Sequence, residues 1–235
     1  MKKFIILIIL IVLVIIGVVV YMGSLINSDG VKFKKEYEEI NNKKTGYGKK
    51  RFREINIPRK NKIKYSSAKE IINKMNDKES FVVYFGFKRC PWCRSIMEEL
   101  IKASNDSKAD TLYYVDVLKI RDVKELKDGK VSDLIAGDED YMQLIELMDN
   151  VLDEYTLEDE DGKEVKVGEK RIYAPNVIAV VDGKAVKMTT GLSPKLKDPY
   201  MKLTDEIKNY AYKNFKCVMN CSLEKKKVCV SKKAC

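Results

Sequence analysis

The sequence predicts an α/β domain preceded by a single N-terminal transmembrane helix. A nearly continuous apolar run over residues 81–87, rich in β-branched and aromatic side chains, is typical of a buried strand. Apolar residues recur at helical spacing after Cys93, and a second strand-like run follows at 111–117. A strand, a helix and a strand in this order predict two parallel strands joined by a right-handed crossover.

The N-terminal segment is the first predicted element. Residues 4–28 carry no charge, and residues 4–22 are almost entirely apolar. Nineteen helical residues span about 28 Å, close to the roughly 30 Å of bilayer hydrocarbon. A cleavable signal peptide has a shorter apolar region and small residues before its cleavage site, so we expect residues 1–28 to be an uncleaved anchor. Since cytoplasmic flanks carry excess positive charge, Lys2 and Lys3 predict a domain outside the cytoplasm at the cell membrane.

Positive charge is concentrated outside the predicted domain. The net charge is +10 over residues 1–65, −5 over 66–215 and +5 over 216–235, which gives +10 for the chain. No aromatic-studded recognition module accompanies the basic runs, so nucleic acid is not an expected partner. We interpret residues 29–65 as a basic juxtamembrane linker near anionic headgroups.

The predicted domain spans residues 66–215. Ser67 and Glu70 have the spacing of a capping box, which begins a helix. The helix that follows Cys93 is expected over 91–104. About 150 residues bury an adequate core without metals or disulfides.

The second half of the domain contains an insertion and a hairpin. Residues 118–170 are interpreted as a helical insertion, with a helix near 139–154, that forms either a lid or partner surface or simply packs on the sheet. A strand over 176–181 is expected to turn through Asp182-Gly183 into a second strand at 185–188. A terminal helix is expected over 200–215.

Cys90 and Cys93 form a C-x-x-C motif where the first strand changes into a helix. A cysteine at a helix N-terminus faces unpaired N–H groups and the positive end of the helix dipole, which favour the thiolate. Pro91 suits the first turn because its missing N–H has no helical partner. The spacing brings the two thiols together, with Cys90 as nucleophile and Cys93 as resolving thiol. A structural disulfide and half of a metal site are the alternatives.

Positive side chains flank this motif in the sequence, and no cofactor is expected. Lys88, Arg89 and Arg94 are predicted to favour the Cys90 thiolate further. The chain has no histidine, which excludes His-containing metal sites and Ser-His or Cys-His catalysis.

The motif and its setting resemble the thioredoxin superfamily, whose fold is a central mixed sheet flanked by helices. A second stretch, residues 171–184, resembles the segment in which that family's cis-proline opens a strand ending in a hairpin. The resemblance implies that Pro175 is the cis-proline facing the dithiol and that the backbone of Ala174 docks the substrate chain. Trp92, between the cysteines, would complete the substrate-facing surface.

The chain differs from the family at one buried position. Thioredoxins carry a buried acid six residues before the first cysteine, where this chain has Tyr84. Asp116, the one acid inside the 111–117 strand, is a candidate replacement, although an acid at a strand end usually faces water. The dipeptide between the cysteines, Pro-Trp, is closer to the Pro-Tyr of glutaredoxins.

The basic tail, residues 216–235, holds the other four cysteines: Cys217, Cys221, Cys229 and Cys235. We interpret them as two structural disulfides of unknown pairing, as expected in an oxidising compartment. The alternatives are a zinc site, whose cysteine pairs would be unusually far apart, and a redox partner for Cys90 and Cys93.

Together these features predict a membrane-anchored thiol–disulfide oxidoreductase. Its substrates would be thiols or disulfides of exported proteins or peptides, with a membrane redox partner as a further candidate. The alternative is a non-enzymatic, membrane-tethered thioredoxin-like accessory protein that holds an exported peptide or a transporter component.

Overall fold

A computed structural model describes residues 10–15, 28–46 and 48–221. Residues 10–15 are helical. Within the described residues, no helix is both long and apolar enough to cross a bilayer. Most of the predicted anchor, and the tail after Cys221, lie outside the described residues.

From residue 28 onward, the described chain forms helices and strands that alternate through most of the domain. The helices are α1 (Asp29–Glu38), α2 (Ala68–Asn76), α3 (Pro91–Asp106), α4 (Glu139–Met148) and α5 (Asp205–Cys221). The strands are β1 (Ile63–Tyr65), β2 (Phe81–Gly86), β3 (Leu112–Asp116), β4 (Val123–Lys127), β5 (Lys130–Ile135), β6 (Asp153–Glu158), β7 (Glu164–Arg171), β8 (Asn176–Val181) and β9 (Lys184–Thr189).

A mixed five-stranded sheet forms the centre of the domain, in the order β1-β3-β2-β8-β9. Strands β1, β3 and β2 are parallel, which confirms the predicted β-α-β unit. Strand β8 runs antiparallel to β2, and β9 returns antiparallel to β8 through the predicted Asp182-Gly183 turn. Both turn residues have positive φ, 49° and 75°, as this tight hairpin requires. The architecture is α/β and is compatible with a thioredoxin-like fold.

Helices cover both faces of this sheet. Alternate residues of β2 point to opposite faces, with Val82 and Tyr84 on one side and Val83 and Phe85 on the other. The first face packs against α1, α3 and α5, and the second against α2 and α4. The predicted capping box at Ser67 and Glu70 is present at the start of α2.

Residues 29–65 are not a linker, contrary to the sequence prediction. Phe33 and Tyr37 on α1 are completely buried, as is Ile57 further along the segment. Strand β1 then pairs with β3 at the edge of the sheet. The domain therefore begins with α1 rather than near Ser66, because these apolar side chains complete one face of the core.

The insertion is mostly β structure rather than helical. Around α4, which ends at Met148, lie two antiparallel two-stranded sheets, β4–β5 and β6–β7. Asp128 and Gly129 form the β4–β5 turn with positive φ, 51° and 70°. An Asp-Gly pair between alternating residues is a hairpin signal that the sequence prediction missed. Helix α5 also extends beyond its predicted end, so the first tail residues belong to it.

Candidate active site

The two cysteines lie where the central strand β2 passes into α3. Cys90 is the N-cap of α3, and its Sγ accepts a hydrogen bond from the Cys93 N–H at 3.1 Å. Pro91 takes the first helical position, as the sequence predicts. Both thiols are free, with exposed fractions of 3% for Cys90 and 0% for Cys93. A sulfur at the N-cap accepts hydrogen bonds from the unpaired backbone N–H groups of the first helical turn.

The segment before β8 closes the other side of Cys90. The Ala174–Pro175 peptide bond is cis, the isomer implied by the resemblance, and Pro175 is buried. Cys90 Sγ lies 3.2 Å from the Ala174 carbonyl oxygen and donates to it as a thiol. The structure thus brings together residues 84 positions apart. Trp92 is half-buried, and its backbone N–H donates to the Cys90 sulfur.

The environments of the two thiols shift their pKa values in opposite directions. Burial raises the pKa of Cys90. Hydrogen bonds from the Cys93 side chain and from the backbone N–H groups of Cys93 and Trp92, together with the charge of Arg121, nevertheless hold this pKa below its ordinary value. Burial and the neighbouring Cys90 raise the pKa of Cys93 well above its ordinary value. Cys90 is therefore the more readily ionised thiol, and Cys93 retains its proton.

The cation that acts on Cys90 is Arg121, which the sequence analysis did not identify. Lys88 forms an ion pair with Glu39 instead. Arg89 lies over the Phe52 ring at 5.3 Å from its centroid. Arg121 lies in the loop after β3, and no sequence signal links such a loop residue to the dithiol.

Arg94 is a buried structural residue rather than an exposed charge near the motif. Arg94 is 1% exposed, and its guanidinium donates to the carbonyl oxygens of Arg53, Tyr37 and Lys88 and to Asn41 Oδ1. Burial lowers the pKa of Arg94 to about 10, so it stays charged at neutral pH. Arg94 therefore fastens the N-terminal segment to the start of α3.

A tyrosine cluster occupies the space behind Cys93. Tyr84 is completely buried and hydrogen-bonds Cys93, which partly offsets the rise in the pKa of that thiol. The Tyr84 and Tyr37 hydroxyls are 3.4 Å apart, and Tyr37 donates to Tyr114 at 3.4 Å. A Cβ at Gly86 would come within 2.1 Å of the Tyr84 hydroxyl, so glycine there makes room for it.

Asp116 does not replace the missing buried acid beside Cys93. It is exposed at the end of β3, where its carboxylate accepts the Leu118 N–H at 2.9 Å. Burial of part of the carboxyl raises its pKa, and it interacts with Tyr114 rather than with Cys93. The polar neighbour of Cys93 is thus a phenol, Tyr84.

A scan of protein-family models found none that matches the chain, and a search of curated proteins found no match either.

Two of the four tail cysteines lie within the described residues. Cys217 and Cys221, on the last turns of α5, are disulfide-bonded. Lys187 Nζ on β9 lies 3.5 Å from Cys217 Sγ. Cys229 and Cys235 lie outside the described residues.

Proposed function

We propose that this protein is a thioredoxin-like thiol–disulfide oxidoreductase acting on exported proteins or peptides. One observation carries the proposal: Cys90 Sγ is held between the N-terminus of α3 and the Ala174–Pro175 segment, with Cys93 one helical turn away. Opposite pKa shifts of the two thiols match a nucleophile and a resolving thiol.

The reaction transfers two electrons between the dithiol and a substrate disulfide. The Cys90 thiolate attacks one substrate sulfur, which forms a mixed disulfide and releases the other sulfur as a thiolate. Cys93 then loses its proton and attacks the Cys90 sulfur, which releases the second substrate thiol and leaves a Cys90–Cys93 disulfide. In the opposite direction, the same steps oxidise a substrate dithiol. A membrane dithiol–disulfide partner would return the pair to its starting state.

The proposed location rests on the apolar N-terminus. We propose a single-pass anchor within residues 1–28 that holds the domain outside the cytoplasm, where exported substrates fold.

Turnover with matched cysteine variants tests the proposed activity. The purified full chain should reduce insulin with dithiothreitol as electron source, or refold a reduced, unfolded protein in a disulfide buffer. Cys90→Ser should abolish turnover, and Cys93→Ser should accumulate the mixed disulfide. If the wild-type turnover rate is no higher than that of Cys90→Ser in both assays, the result would support the non-enzymatic accessory role instead.

A further inference from the structure

Beside the dithiol segment lies a cationic groove to which the proposed chemistry assigns no ligand. It has a volume of about 520 Å³ and is lined by Phe52, Phe87, Arg89, Pro91, Arg121 and Tyr200, among others. This volume is within the roughly 300–1,000 Å³ of sites that bind small ligands or a few residues of a peptide. Arg89 and Pro91 directly flank Cys90 in the sequence, so the groove adjoins the segment that carries the reactive thiol.

Two arginines give the groove its charge. Arg121 lies over the Phe87 ring at 4.9 Å and Arg89 over the Phe52 ring at 5.3 Å, contacts that fix the positions of the guanidinium groups. Neither forms an ion pair within the described residues. Arg121 Nε is buried and has no hydrogen-bond partner there.

No acidic side chain among the described residues lines the groove. Its walls come from four separate segments: Arg89 lies between β2 and α3, Phe52 belongs to the N-terminal segment, Arg121 follows β3, and Tyr200 precedes α5. Planar guanidinium groups bind carboxylates through paired hydrogen bonds, and the aromatic rings accept apolar side chains. A ligand complementary to these walls has both carboxylate groups and apolar groups.

We propose that this groove selects substrate segments in which acidic residues flank the reactive cysteine. The inference rests on the proposed function and specifies its substrate class: an extended peptide segment whose sulfur reaches Cys90 while its neighbouring carboxylates meet Arg89 and Arg121. The groove is lined both by Pro91, next to Cys90, and by Tyr200 from a separate segment, which favours a peptide over a small thiol that ends near the sulfur.

Matched peptide disulfides test the inference on the full chain in a neutral detergent. Two peptides are used that differ only in having Glu or Gln on both sides of the cysteine, and each rate is divided by the rate with dithiothreitol alone. The wild type should prefer the Glu peptide about fivefold in kcat/KM at low salt, as expected for two partly exposed ion pairs. The preference should fall in 0.5 M salt.

Charge variants identify the groove as the source of the preference. Arg89→Gln with Arg121→Gln should bring the Glu/Gln ratio close to one. The double Lys variant should retain only part of the preference, because Lys keeps the charge but not the paired hydrogen bonds. Because Cys90 attacks both peptides, a change in its own pKa cancels in the ratio. Lys69→Gln with Lys184→Gln, which removes the same charge from exposed positions outside the groove, should leave the ratio unchanged.

Different failures have different meanings. Reaction of both peptides at equal rates would overturn the groove proposal and leave the oxidoreductase function standing. Equal reactivity of a small acidic disulfide and the Glu peptide would also overturn it, since the flanking peptide would then contribute nothing. No reaction with any peptide or with neutral dithiodipyridine would overturn the proposed function itself.

Discussion

At the scale of single residues, this site is distinguished by Tyr84, whose phenol hydroxyl is the polar neighbour of the resolving thiol, Cys93. Tyr84 donates to Cys93 without carrying a charge, so it stabilises a thiolate but does not remove a proton as a carboxylate would. The Tyr84 hydroxyl is also hydrogen-bonded to Tyr37, and Tyr37 to Tyr114, so three tyrosine hydroxyls are linked through the core.

Removing the Tyr84 hydroxyl should slow the resolving step. Tyr84→Phe deletes a hydrogen bond to the Cys93 thiolate, so we expect the pKa of Cys93 to rise further and the mixed disulfide to persist about tenfold longer at pH 7. Quenched-flow trapping of the intermediate measures its lifetime. Tyr141→Phe removes a buried hydroxyl on the opposite face and is the matched control. Equal lifetimes in the two variants would contradict a role for Tyr84.

Arg121 should set the reactivity of Cys90. Its positive charge favours the thiolate, so Arg121→Gln should raise the pKa of Cys90 and move the iodoacetamide alkylation profile to higher pH. Lys88→Gln should have a smaller effect because Lys88 is paired with Glu39. A larger shift in Lys88→Gln than in Arg121→Gln would refute this assignment.

The same charge should influence the reduction potential. Stabilising the thiolate stabilises the reduced pair, so the wild-type disulfide should be less reducing than the roughly −270 mV of thioredoxin. Arg121→Gln should lower the potential by about 10–20 mV, the equivalent of one partly exposed charge interaction. Equilibration with glutathione buffers measures both values, and a wild-type potential at or below −270 mV would contradict the argument.

At the scale of elements, α1 belongs to the core and not to a linker. Phe33 contacts the rings of Tyr37 and Tyr114, with centroids 4.2 and 4.9 Å away. Phe33→Ala should therefore lower the free energy of unfolding by about 3–5 kcal/mol, the usual range for a buried phenylalanine. Urea denaturation measures the loss. Lys35→Ala, exposed on the same helix, should change it by less than about 0.5 kcal/mol, and equal effects would show that α1 does not pack.

At the scale of the whole molecule, the N-terminal segment and the α/β core should fold as one unit. A chain that starts at Ser66 lacks the buried Phe33, Tyr37 and Ile57 and leaves Arg94 without its acceptors at Tyr37, Asn41 and Arg53. We expect it to lose the near-ultraviolet circular dichroism and cooperative unfolding that a chain starting at Ser28 retains. Cooperative unfolding of the shorter chain at equal stability would contradict this.

The predicted location can be tested on cells. If residues 1–28 anchor an external domain, a membrane-impermeant maleimide added to intact cells should label the reduced thiols of this chain. Labelling that appears only after lysis would mean that the domain faces inward. A cytoplasmic thiol protein expressed in the same cells is the control for leakage.

The local pattern of the sequence determined the strand–helix junction, its C-x-x-C motif, the capping box and the Asp182-Gly183 hairpin. Each depends on residues close together in the chain, and their backbone preferences point to the same structure. The helical spacing of Phe33 and Tyr37 was also available in the sequence, but the many charges of residues 29–65 obscured it.

Only the tertiary structure decided which groups surround the thiols. Arg121, Tyr84 and Ala174 reach the dithiol from three different strands or loops, whereas the neighbouring Lys88 and Arg94 are held by other partners. Proximity in sequence determines the local backbone conformation, but it does not determine where the charged group of a long side chain lies. The rotamer of such a side chain depends on its packing and on its ion-pair or hydrogen-bond partners. The sequence by itself therefore identified the reactive pair, and the fold determined its electrostatic environment.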